Sequence, residues 1–341
     1  MIRAWIQGPI ILLVAAVGLA SALPVSWPPQ AGAAAPGGPC VIYTSESDDD
    51  VNALAEDFMR RMPAVNVKIF RAGSGPVEAK IEAEMQAGRI QADVIWFADI
   101  AFYQNLARRG LLLPYSPPAA GGVPRMFHYE GGQFHEVRLI FNVLGFNTRQ
   151  VKFRPTSWWD LTLPRYRGRA GMPSPFVSGA AFGHVGTFAA LREFGWPFYE
   201  KLAANKAVVL RSNGDVIQKL ASGEVSVAQI VDFFVRAARA QGSPVDYVVP
   251  KEGAVLVPTP VGIIKATSNR AAAEALVNYL FTAEAQRLLA ARSYIPVRPG
   301  VPAPAGTPEA AQIKVISPDL GYIEAHREEI KQRFAALFGP Q

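Results

Sequence analysis

Two short segments, Ser74-Gly75 and Ser178-Gly179, each place a hydroxyl and a glycine just before a stretch that reads as a helix. The first N–H groups of a helix have no partner inside it, and the aligned peptide dipoles leave that end positive. A serine there either caps the helix or joins the backbone amides in holding an anion. One such place leaves the two readings level; two, in separate halves of the chain, would let one anion bridge them. Ser45 and Glu46 follow the first predicted strand and belong to the same ring. Asn213-Gly214 is either a plain turn before a helix near Asp215 or a further polar lining of that ring. Asp232 follows the apolar run Val225–Val231 and either caps a helix over 233–240 or faces a ligand. Glu252, between Pro250 and Gly253, is either a solvated loop acid or a second ligand-facing carboxylate. Both acids suit hydroxyl or ammonium groups rather than phosphate. Arg138 either forms a surface ion pair or neutralises an anion with its forked donors.

These residues support capture rather than bond breaking. Ala72-Gly73-Ser74-Gly75 does not complete G-x-S-x-G, because position 72 is alanine. The sequence has no P-loop and no G-x-G-x-x-G, and no carboxylate pair is marked out as acid and base. His128, His135, His184 and His326 lack metal-ligand spacing, so neither a metal nor another cofactor is expected. The net charge of +6 is spread without a Lys/Arg run, which argues against a nucleic-acid partner. With 50% hydrophobic and 18% charged residues, the composition is that of a globular chain. A secreted α/β hydrolase is the alternative from a different class.

The elements that must position this ring follow from periodicity. Cys40–Thr44, Val65–Ile69 and Asp93–Phe97 read as strands, and Val51, Leu54, Phe58 and Met62 recur at helical spacing between the first two. Val77, Ile81 and Met85 mark a second helix with Pro76 in its first turn. This strand–helix alternation predicts an α/β fold with a largely parallel sheet. Val137–Asn147 reads as one long strand entering a second series, with strands at 169–172, 207–210 and 225–231. Val261–Ala266 returns, followed by one long helix over 270–291. Two α/β units are therefore expected. One cysteine, Cys40, excludes an internal disulfide, and its place at a strand start suits a small buried residue, with lipid attachment as the other reading. The absence of repeats or heptads is consistent with a monomer.

The N-terminus reads as a signal peptide over 1–22. Arg3 precedes the apolar run Ile10–Leu19, and Ala20-Ser-Ala22 is a small-x-small cleavage candidate, with Ala31-Gly-Ala33 as a later one. A Pro/Gly/Ala-rich spacer, 23–37, follows, and an uncleaved anchor is the runner-up.

Several segments resemble the iron-type branch of the type II solute-binding proteins of ABC transporters (extracellular solute-binding family 1-like). They are Val41-Ile-Tyr-Thr-Ser45, Gln91-Ala-Asp93-Val-Ile-Trp96, Gly145-Phe-Asn147-Thr, Trp158-Trp-Asp160-Leu161, Tyr166-Arg-Gly168, Ser222-Gly223-Glu224 and Tyr294-Ile-Pro296-Val-Arg298. The resemblance implies two hinged lobes, 38–142 plus 262–341 and 143–261, each a mostly parallel sheet flanked by helices and joined by hinge strands. It implies a periplasmic protein that carries a small solute to an ABC permease in the inner membrane. Ferric-ion binders of this branch use adjacent tyrosines after the strand that ends here near Val231; this chain has Phe233-Phe234. Phenylalanine has no oxygen for hard Fe³⁺. The iron alternative must then rest on Asp232 and a synergistic anion. The region is more similar to relatives that bind hexose phosphates or aminoethylphosphonate. A small anionic organic solute is the implied ligand, with helix starts for the anion and acids for the remainder.

Overall fold

The computed structural model describes residues 36–307 and 313–339; the signal-peptide reading lies outside them. In chain order, β1 (Gly38–Thr44), α1 (Asp48–Arg61), β2 (Val65–Arg71), α2 (Ser74–Gln86), β3 (Val94–Trp96) and α3 (Ile100–Arg108) open the fold. Short strands β4 (Leu112–Leu113), β5 (His128–Tyr129), β6 (Phe134–Glu136) and β7 (Arg138–Leu139) lead to β8 (Phe141–Asn147) and β9 (Ala170–Pro173). Then come α4 (Gly179–Ala190), α5 (Gly195–Ala204), β10 (Val208–Leu210), α6 (Asn213–Ser222), β11 (Val227–Val231) and α7 (Asp232–Ala240). The rest is β12 (Val245–Val248), β13 (Ala254–Leu256), β14 (Pro260–Ile264), α8 (Arg270–Leu280), α9 (Ala283–Ala291), β15 (Ile295–Pro296), β16 (Val315–Ile316), α10 (Leu320–Ala325) and α11 (Arg327–Phe338).

Two sheets flanked by helices make two lobes. The first runs β2-β1-β3-β14-β6-β5, with β4 also on β14; the second runs β10-β9-β11-β8-β13-β16, with β12 also on β8. Each is mixed: β1 pairs parallel with β2 and β3, and β9 with β10 and β11, while β14 and β8 run antiparallel to their neighbours. Those two antiparallel strands adjoin the crossings between lobes, so the chain direction reverses there. The first core includes Phe58, Trp96, Ile263 and Leu276; the second includes Trp158, Phe188, Phe198 and Phe334.

Local chemistry explains the helices. α1 carries Asp48, Asp49 and Asp50 in its first turn and Arg60 and Arg61 in its last, matching its dipole, and buries Val51, Leu54 and Phe58. The helix expected over 270–291 is two: Thr282 accepts from the Ala285 N–H and starts α9 afresh. The expected strand 137–147 also divides, because β7 joins β15 in a two-stranded ribbon before β8 enters the second sheet.

The division into 38–142 plus 262–341 needs correction at its end. β16 pairs with β13 in the second sheet, and Ile330 and Phe334 of α11 are buried in the second core. β16 and α11 therefore pack with the second lobe, and α10 lies between α3 and α4.

Cys40 is fully buried in β1, and burial, aided by Asp93, pushes its thiol up to about 12. Among the described residues no helix is long and apolar enough to cross a membrane. In the second core His184 shares Nδ1 with the Tyr199 hydroxyl at 3.0 Å, its ring against Trp158 and Phe188, while Nε2 has no partner. Burial drives this imidazole from 6.5 down to about 3. The unfolded chain then takes up the proton first, so stability is lost as pH falls below about 6.5. Urea unfolding at pH 7 and pH 5 is expected to show the His184→Phe variant losing about 2 kcal/mol less than the parent over that interval. An equal loss would show that His184 is not the acid-sensitive group.

Candidate functional site

The starts of α2 and α4 meet between the lobes. Gly73 is the N-cap of α2, and no side chain caps that end, so its first amides are not taken by a capping oxygen. Ser74 is buried, 2% exposed. Opposite, Ser178 caps α4: its hydroxyl accepts from the Ala181 N–H at 3.2 Å and from Asn213 Nδ2 at 3.1 Å. Asn213 Oδ1 in turn accepts from the Val231 N–H at 3.2 Å, which ties the α6 start to the end of β11. Below this, Gln229 Nε2 donates to Asn142 Oδ1 at 2.5 Å, and Asn142 Nδ2 to the Ala180 carbonyl at 2.9 Å. This buried amide relay fixes the first turn of α4 on the sheet.

The lobes touch through backbone at glycines. A Cβ on Gly73 would stand 2.5 Å from the Val177 carbonyl oxygen, and one on Gly75 would collide with the Phe176 carbonyl. A Cβ on Gly179 would collide with the Ala98 carbonyl and stand 2.8 Å from Ser74 Oγ. Thus Ser74, Gly75, Ser178, Gly179 and Asn213 come together. Ser45 borders them: its hydroxyl accepts from the Ala98 N–H at 3.4 Å, and its own N–H donates to the Trp96 carbonyl.

Glu46 and Arg138 form a separate buried pair. Arg138 Nη2 lies 2.5 Å from Glu46 Oε2, with both side chains at most 3% exposed. The guanidinium sits 4.1 Å from the Tyr294 ring centroid and 5.1 Å from that of Trp96, while its Nε and Nη1 have no partner. Burial pushes the Glu46 carboxyl up, and Arg138 offsets only part of this. The surface ion pair considered for Arg138 is therefore a buried one, beside the crossing strands. Neighbouring Glu136, raised to about 8 by burial, accepts from the Thr259 N–H and hydroxyl, and Trp96 Nε1 donates to the Thr259 carbonyl. With the Val257 N–H donating to the Ile140 carbonyl, these bonds bind the outgoing crossing to the returning one.

The two acids expected near a ligand are engaged elsewhere. Asp232 Oδ1 accepts from the Phe141 N–H at 3.0 Å and Oδ2 from Arg236 Nη1 at 2.6 Å, while Arg236 Nε and Nη2 also reach the Ser293 carbonyl. Asp232 thus fastens β11 to the crossing and does not cap α7, whose N-cap is Val231. Glu252 accepts from Ser157 Oγ at 2.5 Å and the Trp158 N–H at 3.2 Å, anchoring a turn of the second lobe. Phe233 packs 4.2 Å from Tyr294, whose hydroxyl donates to Asp50. Among the described residues no group of three or more His, Cys, Asp or Glu could hold a metal ion.

Sequence reasoning missed Gly73, Ala98 and Phe176 as interlobe contacts, and Asn142 and Gln229 beneath α4. Gly73 lay in the loop already singled out; the others carried no local signal.

Closure depends on glycine at 179, which lies at a helix start without positive φ, so alanine fits locally but meets the opposite lobe. Gly179→Ala is expected to leave unfolding free energy within about 1 kcal/mol of the parent. It should enlarge the radius of gyration in solution scattering. An unchanged radius would contradict this contact.

Residues 90–325 match the model of the bacterial extracellular solute-binding protein family. A Salmonella paratyphi A protein, named as a candidate 2-aminoethylphosphonate-binding periplasmic protein, is 26% identical over 75% of this chain and 77% of its own length. The solved structure of the periplasmic binding protein AfuA from Actinobacillus pleuropneumoniae, with fructose-6-phosphate bound, superposes with a TM-score of 0.81 at 23% identity, covering 89% of this chain and 99% of that one. Iron-bound HitA from Pseudomonas aeruginosa gives 0.76 at 20% identity, covering 87% and 99%. Two lobes whose helix starts close on each other, in the fold of periplasmic binding proteins and under a family match that spans most of the sequence, place the chain in the bacterial extracellular solute-binding protein family.

Proposed function

We propose that this chain is the substrate-binding component of an ABC importer, which captures a small organic solute bearing a phosphate or phosphonate group and delivers it to a membrane permease. The observation that carries this is the meeting of the uncapped α2 start with the α4 start, from opposite lobes. Each end is positive and offers backbone donors, so an anion held by both favours closure. Ser74, Ser178 and Asn213 add polar atoms, and Gly75 and Gly179 allow the backbone approach. Capture without chemistry fits this geometry, since the site needs only to bind and release. Relatives named or solved with phosphonate and sugar phosphate support the same class. Export to the periplasm and action as a monomer accompany this reading.

Ferric iron is the second reading, favoured by the likeness to an iron-bound protein. Against it, positions 233 and 234 are phenylalanines, and the Tyr294 hydroxyl nearby is held by Asp50. Asp232 would have to leave both the Phe141 amide and Arg236 to bind a metal.

Thermal-shift and calorimetric titration of the mature protein should show binding of 2-aminoethylphosphonate or a hexose phosphate. A hundredfold excess over Kd stabilises by about 2.7 kcal/mol. Asn213→Asp, which sets a carboxylate beside the anion, is expected to weaken binding at least about tenfold. Stabilisation by Fe³⁺-citrate alone would contradict the proposal, and turnover of a phosphate ester would move the protein to the hydrolases.

A further inference from the structure

Of the C-terminal helices, α11 belongs to the second lobe by packing and reaches the first by charge, while α10 packs between α3 and α4. Ile330 and Phe334 of α11 are buried in the second core, and Arg333 of α11 lies over the Trp196 ring. Yet Arg327, the first residue of α11, donates from Nη1 to Glu78 of α2 at 3.0 Å and from Nη2 to Asp99 at 2.6 Å. Both acids are in the first lobe, and Asp99 caps α3 through its other oxygen. The guanidinium also covers the Phe182 ring of α4, 4.8 Å from its centroid. One turn earlier, Glu324 of α10 pairs with Arg108 of α3. The Glu78 and Asp99 side chains are only 11% and 5% exposed. They bear on each other: burial first, then the Asp99 charge, pushes the Glu78 carboxyl well up, and Arg327 offsets part of this. Two carboxylates so placed favour a cation between them. The same residues line a cavity of about 180 Å³ that extends to Gly75 and Gly179 at the meeting helix starts.

We infer that Arg327 is a positioning residue for solute capture, whose double ion pair holds the lobes shut over the starts of α2 and α4. The ion pairs join residues of different lobes, so opening must break them. They also leave two acids facing each other when they break. Mostly removed from water, they are worth more than surface pairs. The purpose of this lock rests on the capture proposed above, but its test uses no ligand and can fail while that reading stands.

Nitroxide labels on Lys68→Cys and Glu200→Cys, one per lobe at exposed positions, report the interlobe distance by pulsed electron resonance. In the ligand-free protein, Arg327→Gln is expected to raise the open-to-closed ratio about tenfold. Arg327→Lys, which keeps the charge, should recover part of it. Glu78→Gln combined with Asp99→Asn should open the protein as Arg327→Gln does, and adding Arg327→Gln to that pair should open it little further. The acid variants also serve if Arg327→Gln fails to fold. Distances unchanged in Arg327→Gln, or opened equally by Arg327→Lys, would overturn the inference; the second result would assign the effect to packing on Phe182.

Discussion

The close approach of two helix starts constrains the rest of this structure. Glycines at 73, 75 and 179 let the backbone of one lobe meet the backbone of the other, with no room for a Cβ between them. Helix starts carry partial positive charge, roughly half an elementary charge each, so two brought together repel unless something negative joins them. The Val177 and Phe176 carbonyls at the α2 start and the Ala98 carbonyl at the α4 start supply part of that, and Ser74, Ser178 and Asn213 add neutral polar atoms. In the capture proposed above, an anion engages the helix-start amides of both lobes and favours closure, as a carrier that must hold and then release its cargo requires.

The remainder of the fold holds these ends in register. Ser178, Asn213 and the end of β11 are tied by hydrogen bonds, and the Gln229–Asn142–Ala180 relay sets α4 on its sheet. Between lobes the two crossings are bound to each other through Glu136, Thr259 and Trp96. Asp232 and Arg236 extend this fastening from β11 to the loop at Ser293. The Glu46–Arg138 pair adds a buried ion pair beside the crossings, walled by Trp96 and Tyr294.

Much of this architecture was legible in residue order. Alternating β-formers and helical spacing located β1, α1, β2, α2 and β3, because each buries a face that its own period marks. The Ser-Gly pairs at the starts of α2 and α4 marked both helix starts, although only Ser178 caps its helix; α2 begins after Gly73 with no side-chain cap. The break between α8 and α9 had a readable sign in Thr282, a good N-cap residue, which the continuous apolar pattern obscured. Asp232 and Glu252 carried no local sign of the Phe141 and Trp158 amides they accept from, more than 90 residues away, although the Asp232–Arg236 pair stands at helical spacing. The last segment's lobe depended on a two-residue pairing of β16 with β13, too short to leave a pattern. For the same reason Ala98 and Phe176 were invisible: an approach between lobes leaves its trace only in the glycine on the other side.

A crystal structure of the mature protein grown with 2-aminoethylphosphonate tests the central claim most directly. It should place phosphonate oxygens within hydrogen-bonding distance of the amides at the starts of both α2 and α4. A bound phosphonate that contacts one lobe alone, or a closed and saturated protein with those amides unoccupied, would contradict it.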